Sequence, residues 1–322
     1  MDAELGIMLP FKNEELYLHE CLSSISRQDF SNFKVYMVDD HSTDKSPDIA
    51  HDFASLDKRF SYVKNKGTGV VEALLTAIRL IDQPLISRMD ADDLMPENKL
   101  SVLRKALIEQ GKGHVVTGRV QYFGSKKISD GYLGYQNWLN HLCVNNNFWD
   151  AIYRECVIPS CSWMMHSEDF ISALPKQILL PEDYHLVFSW YYAKLKVVGI
   201  NDLVHHWRDH AERTSKLSPD YQIEAFFRLK WKLLKEKELQ PTDKIILWGR
   251  GEKAKILGTI IAEDKMDVVH LSHPSTAFTQ LEKLRASPLK ILCVVGSEKG
   301  INESKMAFEQ LGLRNNQDFF FL

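Results

Sequence analysis

The sequence predicts an α/β protein with a sheet of largely parallel strands. From Gly6 to His114, short apolar runs alternate with segments whose apolar residues recur every three or four positions, which is typical of strands alternating with helices. The same alternation restarts at Lys244. A chain of 322 residues is also longer than one typical core requires, so we expect two domains.

The first elements follow from apolar spacing. Gly6–Leu9 is the first predicted strand. The helix after it has one apolar face at positions i, i+3, i+4 and i+7, formed by Leu18, Cys21, Leu22 and Ile25. Phe33–Val38 is the second predicted strand. Ser46 and Pro47 predict the start of the next helix, because Ser is favoured at the N-cap and Pro at the first helical position.

The next elements lead to an acidic segment. Phe60–Val63 is the third predicted strand, and a helical stripe after it leads to a fourth strand that ends at Asp90. Polar segments follow the first, second and fourth strands: PFKNE, VDDHSTD and SRMDADD. Ligands of open α/β sheets bind at the carboxyl ends of the strands, so we expect these segments to share one crevice.

The rest of the chain divides less clearly. Residues 118–216 are rich in aromatic residues and are predicted to be irregular. We expect a domain at 1–218, a linker helix at 219–241 that packs between domains or lies on a membrane surface, and a small α/β accessory domain at 242–322. In the last, Gly249-Arg-Gly251 between a strand and a helix is a weak sign of a Rossmann-like phosphate loop. We assign no catalytic role to this domain.

Composition excludes several classes of protein. A net charge of −3 gives no reason to expect a nucleic-acid partner. The five cysteines are scattered and odd in number, which is unlike a disulfide framework or a zinc site. The N-terminus lacks signal-peptide features, and no apolar run approaches the ~18 residues of a membrane span. We expect a cytoplasmic protein, with peripheral membrane contact left open.

Two interpretations of the acidic segment remain open from the residues alone. Asp90, Asp92 and Asp93 could form a turn and the N-terminus of the following helix. Closely spaced carboxylates are also what Mg²⁺ or Mn²⁺ needs, and these ions usually bind through one or two carboxylates together with substrate phosphates.

Three segments together resemble a known family. IMLPFKNEELYLHECLSSISRQ, VYMVDDHSTDKS and SRMDADDLMPENKL, in this order, closely resemble family-2 glycosyltransferases of the GT-A fold, over residues 5–216. The resemblance implies a nucleotide-diphospho-sugar transferase fold with a Rossmann-like mixed sheet. It also implies inverting transfer of a sugar from a nucleotide-diphosphate sugar to a hydroxyl of a glycan or lipid-linked acceptor, as in cell-surface polysaccharide synthesis.

The resemblance implies roles for the acids in this sequence. Pro10 and Glu14 would lie beside the nucleotide, and Asp39 would accept a hydrogen bond from its base. This favours a uridine-diphosphate sugar, with guanosine and thymidine diphosphate donors left open. Asp90-Ala-Asp92 matches the DxD motif: Asp90 would lie near the ribose and the Mn²⁺ or Mg²⁺ ion, and Asp92 would bind the metal directly. Asp93 would position the loop.

Later segments supply the base and a further ligand. In LLPEDYHLVFSW, the resemblance implies that Asp183 is the general base and that Glu182 orients or tunes it. Glu168-Asp169 is an alternative pair. VHHWRDHAERTSK resembles the family's Arg-x-His segment. It implies His210 as a metal ligand and Arg208 or Arg213 as a diphosphate contact.

Other functions remain open alongside this one. Trp138, Trp149 and Trp163 could stack on acceptor sugars or form core. A non-catalytic scaffold or sensor that binds nucleotide sugars would have the same fold. A glycoside hydrolase with paired acids is a weaker interpretation, because it does not account for the VDDHSTD segment.

Overall fold

The computed structural model describes residues 4–271, 281 and 288–322. The chain forms two compact units, each built from several segments. The first consists of Met1–Phe148, Val157–Ile178 and Glu182–Arg213. The second consists of Trp149–Cys156, Leu179–Pro181 and Thr214–Leu322. The domain boundaries expected at 218 and 241 stay predictions.

A mixed seven-stranded sheet forms the first unit, with strand order β3-β2-β1-β4-β6-β5-β7. The strands are β1 Leu5–Phe11, β2 Phe33–Asp39, β3 Phe60–Lys64, β4 Leu85–Arg88, β5 His114–Gly124, β6 Trp163–His166 and β7 Lys196–Asp209. β6 is antiparallel to both of its neighbours, and the other pairs are parallel. The predicted α/β class and mixed sheet are confirmed.

Helices connect these strands. They are α1 Leu18–Ser26, α2 Ser46–Leu56, α3 Val70–Ile78, α4 Lys99–Gln110, α5 Asp130–Asn145, α6 Ser167–Ser172 and α7 Glu182–Tyr192. The four apolar positions predicted for the first helix are buried on α1. Ser46 is the first residue of α2 rather than its cap, and its hydroxyl accepts a hydrogen bond from the Glu14 backbone N–H at 2.7 Å.

Pro10 lies in β1, a central strand, at a point that tolerates proline. β1 pairs with β4 only as far as Met8, whereas its pairing with β2 continues to Phe11. Proline has no N–H to donate, so it is tolerated where one side of a strand is unpaired. The open side of β1 therefore begins next to the acidic segment that follows β4.

The prediction that residues 118–216 are irregular is wrong. The segment contains most of β5, the 16-residue helix α5, and β6, α6, α7 and β7. β6 has only four residues and pairs with Ser87 and Thr117 through Met164 and Trp163. Such long-range pairing leaves no local period in the sequence, and the aromatic residues hide the helical spacing.

The second unit contains a four-stranded parallel sheet with strand order β11-β10-β8-β9. The strands are β8 Lys244–Trp248, β9 Val268–Leu271, β10 Leu289–Cys293 and β11 Phe319–Phe321, and the helices are α8 Thr214–Leu217, α9 Ile223–Lys237, α10 Glu252–Glu263 and α11 Glu298–Gln310. Gly249 and Gly251, with φ of 136° and 98°, form the turn from β8 to α10, which favours glycine.

The helix predicted as a linker lies within the second unit. α9 buries its apolar residues Phe227, Leu233 and Leu234 and packs against α10. Trp231 Nε1 donates to Asp264 Oδ2 at 2.6 Å. Within the described ranges, no helix combines the length and the apolar character that crossing a membrane requires.

Candidate active site

Acidic residues gather at one edge of the first sheet. β1, β2 and β4 are parallel neighbours, so the segments that follow them leave the sheet at the same edge. Asp39 ends β2, and Asp90 begins the turn two residues after β4. A backbone bridge between Leu94 and His206 then ties this turn to β7. Segments more than a hundred residues apart therefore meet at one place.

Asp92 and His210, the two residues that the sequence predicts as direct metal ligands, lie side by side. The Asp92 Oδ2 and His210 Nε2 atoms lie 3.0 Å apart, and the side chains are 17% and 10% exposed. The His210 ring packs against the Tyr17 ring, with a centroid distance of 4.6 Å and the two planes tilted by 49°. A carboxylate oxygen and a neutral imidazole nitrogen are suitable ligands for Mn²⁺, and the carboxylate also suits Mg²⁺. The residues therefore fit a divalent cation.

Asp93 is buried behind this pair. Its Oδ1 accepts a hydrogen bond from the Arg208 backbone N–H at 2.7 Å, and its Oδ2 lies 2.9 Å from His205 Nε2. Burial, followed by the charges of Asp92 and Asp90, raises the pKa of Asp93 well above its usual value. Burial lowers the pKa of His205 well below its usual value. These contacts suit the loop-positioning role expected of Asp93.

Arg208 anchors the same loop. Its Nε donates to the Asp92 carbonyl oxygen and its Nη2 to Glu20 Oε2, both at 2.6 Å. Its guanidinium lies 4.7 Å and 4.6 Å from the ring centroids of Tyr17 and Phe123. The diphosphate contact predicted for Arg208 or Arg213 stays a prediction. Arg213 is buried, with its guanidinium 5.2 Å from the Trp207 ring centroid.

Asp90 is oriented through both carboxylate oxygens. Its Oδ1 accepts from Arg88 Nε at 2.8 Å, and its Oδ2 accepts from Ser160 Oγ at 2.9 Å. Burial raises the pKa of Asp90, but the charge of Arg88 and the hydrogen bond from Ser160 outweigh it, so the pKa lies below its usual value. Arg88 Nη2 also donates to Glu182 Oε1 at 2.9 Å. Arg88 thus joins the acids after β4 to the first residue of α7.

Asp183 lies in the first turn of α7, and its Oδ1 accepts the Tyr184 backbone N–H at 2.7 Å. Burial, and then the charge of Glu182, raises the pKa of Asp183 to about 7. A base with this pKa is well matched to proton transfer near neutral pH. Asp183 lines a small cleft with Arg88 and Ser160, and the rest of the lining is apolar: Ile158, Trp163, Leu186, Val187 and Trp190.

The alternative pair, Glu168-Asp169, lies at the other edge of the sheet. β6 is antiparallel to β4 and aligns His166 with Leu85, the first residue of β4. Glu168 pairs with Lys112, and Asp169 Oδ2 accepts the Gly113 backbone N–H at 2.7 Å. These two acids therefore lie at the opposite edge of the sheet from Asp90 and Asp92.

The residues expected near the nucleotide lie at the ends of β1 and β2. Asp39 is buried, and it accepts hydrogen bonds from the Ser42 N–H and the Tyr62 hydroxyl, each at 2.9 Å. Burial, followed by the nearby Asp92, raises the pKa of Glu14 to about 8. Pro10 and Glu14 therefore flank the acidic cluster, and their contacts with a nucleotide stay predictions.

Sequence reasoning did not identify several residues of this region. Arg88 stands two residues before Asp90, and a charged residue ending a buried strand was the available signal. Ser160 had no local signal, and His205 was one of several histidines in the region of His210 that the sequence could not tell apart. Cys161, one of the five cysteines whose pattern is unlike a zinc site, has its Sγ within 4.8 Å of ligand atoms of Asp93 and His205. All five cysteines are free and buried.

The aromatic candidates differ in their surroundings. Trp163 is 2% exposed. Its ring stacks on Phe170 at 5.5 Å and meets the edge of Trp190 at 4.9 Å, so it is core. Trp138 stacks on Tyr135 at 5.8 Å. Trp149 belongs to the second unit.

Solved structures with this fold include two nucleotide-sugar complexes. S. aureus TarS 1–349, solved with UDP-GlcNAc, is 16% identical, with a TM-score of 0.55 over 81% of this chain and 72% of that chain. Mannosyltransferase PcManGT from Pyrobaculum calidifontis, solved with GDP-Man and Mn²⁺, is also 16% identical, with a TM-score of 0.56 over 89% and 81%. At this identity the likeness shows a shared GT-A fold.

Sequence comparison identifies the family. Two Streptococcus pneumoniae proteins are similar: glycosyltransferase GlyA, 23% identical over 65% of this chain and 31% of its own length, and glycosyltransferase GlyG, 27% identical over 65% and 71%. The chain thus spans under a third of the length of GlyA. The model of glycosyl transferase family 2 matches residues 6–169. This chain is a member of glycosyl transferase family 2.

Proposed function

We propose that this protein is an inverting glycosyltransferase that moves a sugar from a nucleotide-diphosphate sugar to an acceptor hydroxyl. The observation that carries the proposal is the link made by Arg88, which contacts Asp90 at 2.8 Å and Glu182 at 2.9 Å. It brings the carboxylates suited to the donor side beside Asp183, the residue suited to take the acceptor's proton. Family membership supports the same reaction.

In this mechanism, Asp183 accepts the proton of the attacking hydroxyl. Its pKa of about 7 leaves enough carboxylate at neutral pH while keeping it basic enough to bind a proton. Asp92 and His210 would hold Mn²⁺ or Mg²⁺, with Asp90 nearby. When bound, the ion supplies stabilisation of the charge that develops on the diphosphate leaving group. Arg208 and Asp93 keep Asp92 in place.

We favour a uridine-diphosphate sugar as the donor. A carboxylate at Asp39 can accept a hydrogen bond from a ring N–H such as that of uracil. TarS was solved with UDP-GlcNAc and PcManGT with GDP-Man, so this fold accommodates either nucleotide, and a guanosine or thymidine donor is the alternative outcome of a panel. The acceptor we propose is a glycan or lipid-linked hydroxyl in cell-surface polysaccharide synthesis, on the cytoplasmic side. Family resemblance alone supports this setting.

A ligand panel tests the proposal. Thermal unfolding is measured with UDP, GDP, dTDP and their sugars, with and without Mn²⁺, on the wild type, Asp92→Ala and Asp52→Ala. Asp52 is an exposed acid on α2 and serves as the matched control. A ligand that binds only the folded state raises the midpoint. We expect one nucleotide to do so with Mn²⁺ in the wild type and the control, and not in Asp92→Ala.

Two other outcomes are informative. If no nucleotide raises the midpoint of the wild type, the donor-site proposal fails. If one does, and that nucleotide sugar is never turned over with any acceptor supplied, the protein is better described as the non-catalytic sensor or scaffold considered from the sequence.

A further inference from the structure

We propose that Arg88 is a positioning residue: it holds Asp90 on the donor side and, through Glu182, fixes the charge and orientation of the base Asp183. The inference rests on the proposed function, and it assigns Arg88 to the coupling of the donor side with the base. The contacts of the Arg88 guanidinium, its burial, and the charges that act on Asp183 support this role.

The guanidinium of Arg88 bridges two carboxylates from distant parts of the chain. Its Nε donates to Asp90 Oδ1 at 2.8 Å and its Nη2 to Glu182 Oε1 at 2.9 Å. The side chains of Arg88 and Glu182 are 6% and 2% exposed. Because the donors of a guanidinium are fixed in one plane, the two carboxylates are held in a defined mutual orientation. A lysine ammonium has no such fixed plane of donors, so it would not hold the two carboxylates in one mutual orientation.

The backbone that carries Arg88 is itself well fixed. Arg88 pairs with Met8 in β1, and the adjacent Ser87 donates its hydroxyl proton to the Trp163 carbonyl oxygen at 2.6 Å. Ser160 holds the other oxygen of Asp90. The bridge therefore connects a central strand to the start of α7, where the base is located.

The guanidinium has a third nitrogen, Nη1, that this bridge does not use. Arg88 lines the same cleft as Asp183, together with Ser160 and Trp190. Within the part of the chain that the structure describes, Arg88 Nη1 is buried and has no hydrogen-bond partner. An unpaired buried donor on a charged group is costly unless a ligand or solvent satisfies it. Arg88 therefore lies beside the base as well as being linked to it through Glu182.

Charge balance gives the bridge a second effect. The charged groups that act on Asp183 are Glu182 and Asp90, which raise its pKa, and Arg88, which lowers it. Removing the Arg88 cation should make Asp183 harder to ionise. Removing the Glu182 charge should make it easier. Removing both should bring the base back close to its original behaviour, because the two opposing charges disappear together.

The test measures kcat against pH for the wild type, Arg88→Met, Glu182→Gln and the double variant. An opposite charge within a few ångströms lowers a carboxyl pKa by about 1–3 units. We therefore expect the rising limb of the profile to move about one unit or more to higher pH in Arg88→Met. It should move to lower pH in Glu182→Gln and lie between these in the double variant.

A matched control and a second variant keep the result interpretable. Arg104 on α4 also pairs with an acid, through Nε to Glu4 Oε1 at 3.0 Å; Arg104→Met should leave the limb unchanged. If Arg88→Met lowers kcat equally at every pH and the rising limb of its pH profile does not move, Arg88 has a merely structural role and the proposal is overturned. If Arg88→Met does not fold, an unmoved limb in Glu182→Gln overturns it. Absence of transfer by the wild type refutes instead the proposed function, and the inference falls with it.

Discussion

Asp183→Asn is the substitution that examines the proposed base most closely. Asparagine preserves the shape of the side chain, and its carbonyl oxygen can still accept the Tyr184 N–H that Asp183 Oδ1 accepts at 2.7 Å. It cannot take a proton at neutral pH. Loss of a positioned general base typically costs about 10²–10⁴-fold in rate, so we expect kcat to fall by at least about 10²-fold with donor affinity unchanged.

The pH dependence sharpens this expectation. With a pKa of about 7 for Asp183, the carboxylate fraction rises about tenfold from pH 6 to pH 8. Wild-type kcat should follow this rise, and the residual rate of Asp183→Asn should not. Folding raises this pKa above the usual value of 3.8. The contribution of Asp183 to the free energy of unfolding is therefore present below the usual pKa and is lost as pH rises through the folded pKa. Asp183→Asn should thus raise the unfolding midpoint more at pH 8 than at pH 5.

The assay follows release of UDP from UDP-sugars with Mn²⁺ and a panel of mono- and disaccharide acceptors. Asp52→Asn, on an exposed part of α2, is the control and should match the wild type at every pH. The reasoning is refuted if Asp183→Asn transfers within threefold of the wild type, or if its residual rate still rises between pH 6 and pH 8.

Four further predictions concern the metal loop and the fold. His210→Gln removes the imidazole beside Asp92 and should raise the Mn²⁺ concentration for half-maximal rate about 10–100-fold, without lowering the metal-free unfolding midpoint. Arg208→Met should raise the same Mn²⁺ requirement and also lower that midpoint, because it removes the guanidinium that anchors the loop; an unchanged midpoint would contradict this. Gly199→Ala would place a Cβ 2.4 Å from the Cys143 carbonyl oxygen and should cost about 1–3 kcal/mol in the free energy of unfolding by urea denaturation. Gly134→Ala, in α5 with nothing within 4 Å of the added Cβ, should instead stabilise by about 0.5–1 kcal/mol.

Local patterns were enough to predict the first part of the fold. β1, β2 and β3 begin within one residue of the predicted strands and extend one or two residues further. α1 buries the predicted face. These elements could be found because each buries apolar residues at the period of its own geometry. The small β8–α10–β9 alternation of the second unit was predictable for the same reason, whereas β11, of three residues, is too short to leave a period.

The residues of the candidate site also divide into those that the sequence predicted and those that it did not. Asp90 and Asp92 lie in a motif that carries the family resemblance, and Asp183 could be proposed because that resemblance implies a base in the later segment. Arg88 and His205 could not be placed, because their partners are 94 and 112 residues away in the chain. Only the folded sheet brings them together. Antiparallel β6 lies between β4 and β5 in the sheet, and Ser160, three residues before β6, thereby lies beside Asp90. No local sequence pattern predicts this arrangement.

The most direct test of the central claim compares donor binding and turnover in two variants. Calorimetry measures the Kd of the best nucleotide sugar with Mn²⁺, and nucleotide release measures kcat, for the wild type, Asp92→Ala and Asp183→Asn. If Asp92 serves the donor side and Asp183 the base, Asp92→Ala loses both binding and turnover, whereas Asp183→Asn binds like the wild type and loses turnover. Wild-type binding by Asp92→Ala, or wild-type turnover by Asp183→Asn, would contradict the account.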